Sequence, residues 1–516
     1  MQASTQEDRA AQHRLVVQLL NLPSQTMICR RGGKKGRKRD IALMQHRLIQ
    51  HSLSSAPAST PISQPNRPIT RSTNQTPILN SIARSVALTR EGHYRRAIRA
   101  ISSTAPLVDT SNPDTLSLLK QQHPLPKVNT VPTLPDDAPL ITIDDDEELV
   151  KLLRQMVNGS APGPSGWTAE MVYTLTEDPE CLTGLAMLLQ DITNGNVPDS
   201  LKPFLLPSTL IGIDKDAGSS VRPIAIGEIF YRIAAYRAQH YIQGAAKTIL
   251  QPIQLGVAVS GGCESIIHNL QHILELEDHP TAALAIDFKN AFNTISRKAM
   301  LEALYSHPQL QYIWRLVDFA YSTPSDLYVR NVQGLLYPGI LSAEGVRQGD
   351  PLSSLLFALT MQPVYDAIIQ QHPSLKATAI LDDITLVGPA NDLIHSYPTI
   401  INLAQALNLQ VQPSKCQLIY FHNDTTPLTD DIHAFLSQNN IPLQQDSAIV
   451  LGAPIGATFG DIERLAASML KDSYKCCKIY YTTQCRSRKP SCYFASAVLT
   501  NWIIYFDVFR PQPWKN

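Results

Sequence analysis

Apolar residues fall into two kinds of stretch along this 516-residue chain. Some windows have helix length: "EELVKLLRQMVNG" (147–159), "SSLLFALTMQPVYDAIIQ" (353–370) and "LIHSYPTIINLAQALN" (393–408). The first carries apolar positions three to four residues apart, the spacing of one helix face. Others are short and of strand type: "TAALAIDF" (281–288), "TAILDDITLVG" (378–388) and "KCQLIYF" (415–421). Long helices mixed with short, non-alternating strands predict an α+β domain, and the pattern runs over residues 144–456. No internal repeat is visible.

Outside that span the pattern changes. Residues 1–80 combine a basic run, "CRRGGKKGRKRD", with the Ser/Thr/Pro-rich "HSLSSAPASTPISQPNRPITRSTNQTPILN". Neither has a periodic apolar face, so this region is expected to be a disordered, basic N-terminal region. Arg30, Arg31, Lys34, Lys35, Arg37, Lys38 and Arg39 read as a solvated charge run, a phosphate-backbone contact or a nuclear import signal. Residues 81–143 are expected to hold short basic amphipathic helices and a Pro-rich linker. After Gly456, "GDIERLAASMLKD" begins like a helix, and then the composition breaks. Only one acidic residue, Asp507, lies in 474–516, with four of the chain's eight cysteines. Residues 457–516 are therefore expected to be a truncated or frame-shifted tail, with a partial helical segment as the alternative.

The formal net charge is zero and the pI about 7.2, which excludes a uniformly basic nucleic-acid binder but not local basic patches. No run of about 18 apolar residues is present, so no membrane partner is expected. The polar start "MQASTQEDRAAQHRL" lacks the apolar core of a secretory signal. Eight scattered cysteines form no disulfide scaffold, and Cys476, Cys477, Cys485 and Cys492 lack the short paired spacing of a zinc site.

Two features carry chemistry. Asp287 ends an apolar strand-like run, and Asp382 and Asp383 stand side by side in a second one. Adjacent carboxylates repel and resist burial unless something offsets their charge. Side by side, these strands would converge three carboxylates, the set that two divalent ions about 3.5–4 Å apart require for in-line phosphoryl displacement. Carboxylate oxygens suit Mg²⁺. An Asp after a strand and an Asp pair in a hairpin turn are also ordinary turn chemistry, so these residues alone leave both readings open.

The segment between them, "SAEGVRQGDPLSSLLFALTMQPV", carries Gln348, Gly349 and Asp350 ahead of an apolar helix. With its neighbours it resembles the reverse transcriptases, most closely those of non-LTR retrotransposons. The resemblance spans roughly 161–456 in the family's order. "APGPSGW" is similar to the family's APGPDG loop, with Ser165 in place of Asp. "IGIDKDAGSSVRPIAIGEIFYRI" is similar to the fingers segment, "AIDFKNAFNTI" to the first catalytic motif, and "GVRQGDPLSSLLF" to the template-orienting motif, with Ser354 where Pro is common. "ILDD" stands at the aromatic-Ala-Asp-Asp position, with Ile380 and Leu381 as departures. "LNLQVQPSKCQLIYF" and "VLGAPIG" resemble the next two motifs, the second a primer-grip turn.

The resemblance implies a right-hand polymerase: fingers and palm, an antiparallel palm sheet packed on helices, and a truncated or divergent thumb. It implies that Asp287, Asp382 and Asp383 bind two Mg²⁺ ions and that Lys415 donates a proton to pyrophosphate. Lys215 and Arg222 would contact the triphosphate, and Arg232 would brace the fingers or bind template. Phe288 would supply a backbone carbonyl, Phe292 a steric gate against a 2′-OH, and Gln348 with Gly349 would orient nucleotide and template. The expected activity is RNA-directed DNA polymerase, with an RNA template, a DNA primer or target and dNTPs as partners. The alternative is a catalytically impaired nucleic-acid-binding remnant. The expected location is intracellular, the nucleus favoured over the cytoplasm.

Overall fold

The computed structural model describes residues 6–26, 108–127, 130–142, 145–156, 161–215, 220–275, 281–331, 335–422 and 425–469. The basic run at 30–39, the linker and helices expected within 27–107, and the tail beyond 469 lie outside these residues. The chain divides into two compact units, one of 1–70 with 107–462 and one of 71–106 with 463–516. The first holds all the structure discussed below.

Among the described residues, eleven strands are formed. They are β1 (Ser208–Asp214), β2 (Val221–Gly227), β3 (Ala282–Ile286), β4 (Ser325–Arg330), β5 (Leu336–Ser342), β6 (Lys376–Ile380), β7 (Asp383–Gly388), β8 (Gln417–Ile419), β9 (Leu443–Gln444), β10 (Ser447–Val450) and β11 (Ala453–Gly456). One sheet has the order β2-β1-β4-β5, a second β6-β7-β3-β8-β9, and β10 and β11 make a separate hairpin. Six helices matter most: α1 (Gln6–Thr26), α2 (Ile229–Leu250), α3 (Gly262–Leu274), α4 (Ser353–Gln371), α5 (Ala390–Ala406) and α6 (Asp430–Asn439).

The sequence explains why β3 and α4 lie deep. In β3, Ala282, Ala283, Leu284 and Ile286 are all buried, because helices cover one face of the strand and its neighbours flank it. In α4, Leu355, Leu356, Phe357, Ala358 and Leu359 are buried in succession, which an amphipathic surface helix would not do. Both belong to one continuous core with Leu301, Leu316 and Tyr365. A smaller core of Leu119, Leu210, Val221, Leu327 and Val329 lies on the β1–β2–β4–β5 sheet.

Two expectations are corrected. The disordered N-terminal region does not include Gln6–Thr26, which is helix α1. Its Val17 and Leu20 are buried in the main core, and the Leu19 carbonyl accepts a 2.8 Å bond from the Trp167 indole. Apolar side chains in "RLVVQLLNL" anchor it despite the polar residues before them. The palm sheet is antiparallel across β6-β7-β3-β8, but β9 runs parallel to β8. The connection passes through α6, and a helical crossover returns the chain in the same direction.

Candidate active site

Strand pairing brings the three predicted carboxylates to one end of the five-stranded sheet. Ile286 of β3 pairs with Ile384 of β7, so the next residues outward, Asp287 and Asp383, face each other. Ile380 pairs with Asp383, leaving Leu381 and Asp382 as a two-residue turn between β6 and β7. Such tight turns need positive φ, and Leu381 adopts φ 58°. For a leucine this left-handed conformation costs about 1–2 kcal/mol.

Asp287 is fixed through its backbone. Its N–H donates to the Cys416 Sγ at 3.5 Å, and its carbonyl accepts from the Gln412 N–H at 2.8 Å. Phe288, buried, follows it and bridges to Val411. The carboxyls interact strongly. Asp382 is pushed up to about 6, by burial first and then by Asp383 and Asp287. Asp383 is raised by desolvation and by Asp287, and Asp287 by burial, against the pull of Lys415 and Lys215. Among the described residues no group of three or more Asp, Glu, His or Cys side chains closes to metal-binding geometry. The donor chemistry nevertheless fits a hard divalent cation: three carboxylates converge where burial and mutual repulsion both oppose their negative charge.

Cations ring the carboxylates. Arg222 pairs with Ile213 near the tip of the β1–β2 hairpin, and Lys215 lies just past β1, its N–H bonded to the Ser220 carbonyl at 3.0 Å. Lys215 is lowered by burial and then by its neighbours Lys415 and Arg222. Its ammonium also feels Asp287, so the fingers hairpin and the segment ahead of β8 deliver three cations to the carboxylate cluster. Arg232 is placed elsewhere: its guanidinium reaches the Ala161 carbonyl at 3.5 Å, against the "APGPSGW" loop.

The Gln348 loop is locked between β2 and the turn that follows β3. The Gln348 carbonyl accepts from the Ala225 N–H of β2 at 2.7 Å. Gly349 has φ 111°, and a Cβ there would come within 2.5 Å of the Ala225 carbonyl oxygen, so only glycine lets the loop approach. Gly345 is similarly restricted, its hypothetical Cβ 2.4 Å from the Phe292 oxygen. The Val346 N–H donates to that same oxygen at 2.7 Å, and the Phe292 ring stacks on Phe357, centroids 4.8 Å apart and planes 6° from parallel.

Sequence reasoning missed the groups that hold this loop. Arg347 and Asp350 form a buried 3.0 Å ion pair. The Tyr231 and Tyr321 hydroxyls both donate to the Asp350 Oδ2, at 2.8 and 2.9 Å, and the Arg347 guanidinium lies over both rings. Glu228, fully buried ahead of α2, was also missed. So were two glutamines on the stretch leading into β3: Gln254, bonded to Leu381, and Gln271 of α3. The Gln271 amide donates to the Gly456 carbonyl at 2.9 Å and accepts from its N–H at 3.0 Å. Nothing in residue type or spacing marks these positions.

Residues 213–455 match the family described as "Reverse transcriptase (RNA-dependent DNA polymerase)". The chain is similar to reverse transcriptases over that span, just under half of its length. It is 31% identical over 298 residues to the "Retrotransposable element SLACS 132 kDa protein" of Trypanosoma brucei gambiense, covering 57% of this chain and 24% of that protein. It is 27% identical over 146 residues to a "Retrovirus-related Pol polyprotein from type-1 retrotransposable element R2" of Popillia japonica, 26% of this chain and 24% of the relative. A protein of the same description from Nasonia vitripennis is 24% identical over 283 residues, 50% and 26% of the two chains. The chain thus spans about a quarter of the length of these curated relatives. The matched residues include Asp287, Asp382, Asp383, Gln348 and Lys415. The similarity accounts for the mixed helix and sheet architecture of fingers and palm. No helix among the described residues is long and apolar enough to cross a membrane.

Proposed function

We propose that this chain acts as a reverse transcriptase, extending a nucleic-acid 3′-OH with deoxynucleotides on an RNA template. The observation that carries the reading is the register of β3 against β7, which faces Asp287 with Asp383 beside the Asp382 turn. In this reading the three carboxylates bind two Mg²⁺ ions. Bound there, the metal ions would lower the pKa of the primer hydroxyl and neutralise charge on the triphosphate and the departing pyrophosphate.

The chain's own groups do the rest. Lys215 and Arg222 bind the triphosphate from the fingers side, gripping phosphate oxygens without reading sequence. Lys415 donates a proton to pyrophosphate, a role that its exposure and its closeness to Lys215 and Asp287 support. The Phe292 ring, braced by Phe357, crowds the sugar 2′ position. Gln348 and Gly349 orient the base pair being formed, and the β10–β11 hairpin supports the primer end.

The test is primer extension on a primed RNA template with Mg²⁺, beside a filter-binding assay on the same duplex. Extension by the wild-type chain, lost on Asp382→Asn with duplex binding retained, is expected. Binding without extension by the wild type would reject the polymerase reading in favour of a catalytically impaired, nucleic-acid-binding remnant. Extension undiminished in Asp382→Asn would reject the role of that carboxylate.

A further inference from the structure

Gln254 is fully buried, and its side-chain amide bonds to the backbone of Leu381 and Gly256 and also meets the Tyr365 hydroxyl. Its Oε1 accepts the Leu381 N–H at 2.8 Å and the Gly256 N–H at 2.9 Å. Its Nε2 donates to the Leu381 carbonyl at 3.2 Å, which the buried Tyr365 hydroxyl also reaches at 3.4 Å. One amide thus reads both polar groups of Leu381 in the way a neighbouring strand would. The segment carrying it is itself docked on β6. The Leu255 N–H donates to the Ala379 carbonyl and the Ala379 N–H to the Ile253 carbonyl, both at 2.9 Å. Gly256 permits the approach, since a Cβ there would lie 2.9 Å from the Gln254 Oε1 and 3.0 Å from the Leu381 nitrogen.

Leu381 is the residue whose left-handed backbone turns β6 into β7. Without Gln254 the half-buried Leu381 N–H would lose its partner and its carbonyl would keep only the Tyr365 hydroxyl, so its φ would relax toward the ordinary negative region. The residues next along the chain are Asp382 and Asp383. We infer that Gln254 is a positioning residue that holds Leu381 in the left-handed conformation and so fixes the presentation of the Asp382 and Asp383 carboxylates. It touches neither substrate nor metal; it acts through the turn. The inference rests on the polymerase reading only for its catalytic consequence.

Gln254→Met keeps side-chain length and removes the amide. Three readouts are expected to move. Hydrogen exchange at the Leu381 amide rises at least tenfold, while exchange in the β4 and β5 ladders is unchanged. Mn²⁺ binding followed by electron paramagnetic resonance weakens about tenfold. In primer extension kcat falls about tenfold with KM for dNTP nearly constant, the pattern of a displaced catalytic group. Glycine takes positive φ freely. Leu381→Gly in the Gln254→Met background is therefore expected to recover Mn²⁺ binding and kcat to within about threefold of wild type. Leu381→Gly alone is expected to stay within the same margin, and it tests the inference if Gln254→Met does not fold.

Unchanged exchange and Mn²⁺ binding in Gln254→Met overturn the inference, as does a double variant that recovers neither. Loss of Mn²⁺ binding in Leu381→Gly alone overturns it too, because the leucine side chain would then matter rather than its backbone. A wild-type chain that binds Mn²⁺ but extends no primer counts against the polymerase reading, and the exchange and resonance results still decide the role of Gln254.

Discussion

Ser165 meets Glu228 through two hydrogen bonds of 2.6 Å, one from its backbone N–H and one from its hydroxyl, in a fully buried setting. The neighbouring Gly163 is packed so closely that a Cβ would lie 2.7 Å from the Gly227 carbonyl oxygen. The serine in place of the aspartate of similar loops therefore faces a carboxyl. An aspartate there would set two carboxyls against each other without water between them. Ser165→Asp is expected to lower stability by more than Ser165→Ala, which removes one donor at about 1–3 kcal/mol. Adding Glu228→Gln to Ser165→Asp is expected to recover most of the loss. Urea denaturation of Ser165→Ala, Ser165→Asp, Glu228→Gln and the double variant beside wild type measures it, and additive losses would refute the pairing.

Glu228 also predicts a pH dependence. Burial, opposed by the Ser165 bonds, raises its carboxyl from 4.5 to about 7. An acid whose folded pKa is raised holds its proton more tightly in the fold. Its contribution is complete below about 4.5 and is lost as pH rises through about 7, a change on the order of 3 kcal/mol. The urea midpoint should fall between pH 5 and pH 8 in the wild type and fall less in Glu228→Gln. Equal slopes would show that Glu228 does not titrate in that range.

Arg347→Met leaves Asp350 buried with two tyrosine hydroxyls and no counter-charge. Breaking one side of a buried ion pair costs about 3–5 kcal/mol. The thermal midpoint is expected to drop by several degrees, and a double change, Arg347→Met with Asp350→Asn, to drop less.

Gly349→Ala forces a Cβ toward the Ala225 carbonyl at a φ that side chains rarely adopt. The Gln348 loop must then leave β2. The expected outcome is a rise of at least tenfold in KM for dNTP, with a stability loss of about 1–3 kcal/mol. A KM within twofold of wild type would mean that the loop orients nothing.

Phe292→Val removes the ring held parallel to Phe357. Ribonucleotide incorporation relative to deoxyribonucleotide should rise at least tenfold in single-nucleotide extension, the mark of an opened 2′ position. An unchanged ratio would place the sugar elsewhere.

The sequence showed β3, the β6–β7 hairpin and α4 because each is a local apolar run, and a strand or helix buried on most sides needs little else. It showed that Asp287 and Asp382–Asp383 end such runs. That they face one another depends on Ile286 pairing with Ile384, a register the two runs do not specify singly. Ordered motifs supplied it through resemblance. Helix α1 was hidden because its anchoring leucines follow a polar start. The parallel β9, only two residues long, has too few positions to show a period. Gln254 was invisible for a different reason. Its partner Leu381 is 127 residues away, and a buried amide serving backbone leaves no pattern of residue types.

The Gln271 contact has a mechanical consequence. Gln254 grips the catalytic turn, and Gln271 grips Gly456 at the end of the β10–β11 hairpin. Both belong to one short run of chain, whose bend is pinned where Gly262 meets the Leu255 carbonyl so tightly that a Cβ would lie 2.1 Å from the oxygen. That run is a caliper with one jaw on each hairpin. The spacing between the turn that bears the carboxylates and the β10–β11 hairpin is thus set by the length of a third segment. Lengthening it by even one residue would move the two apart, although every motif on either side remained intact.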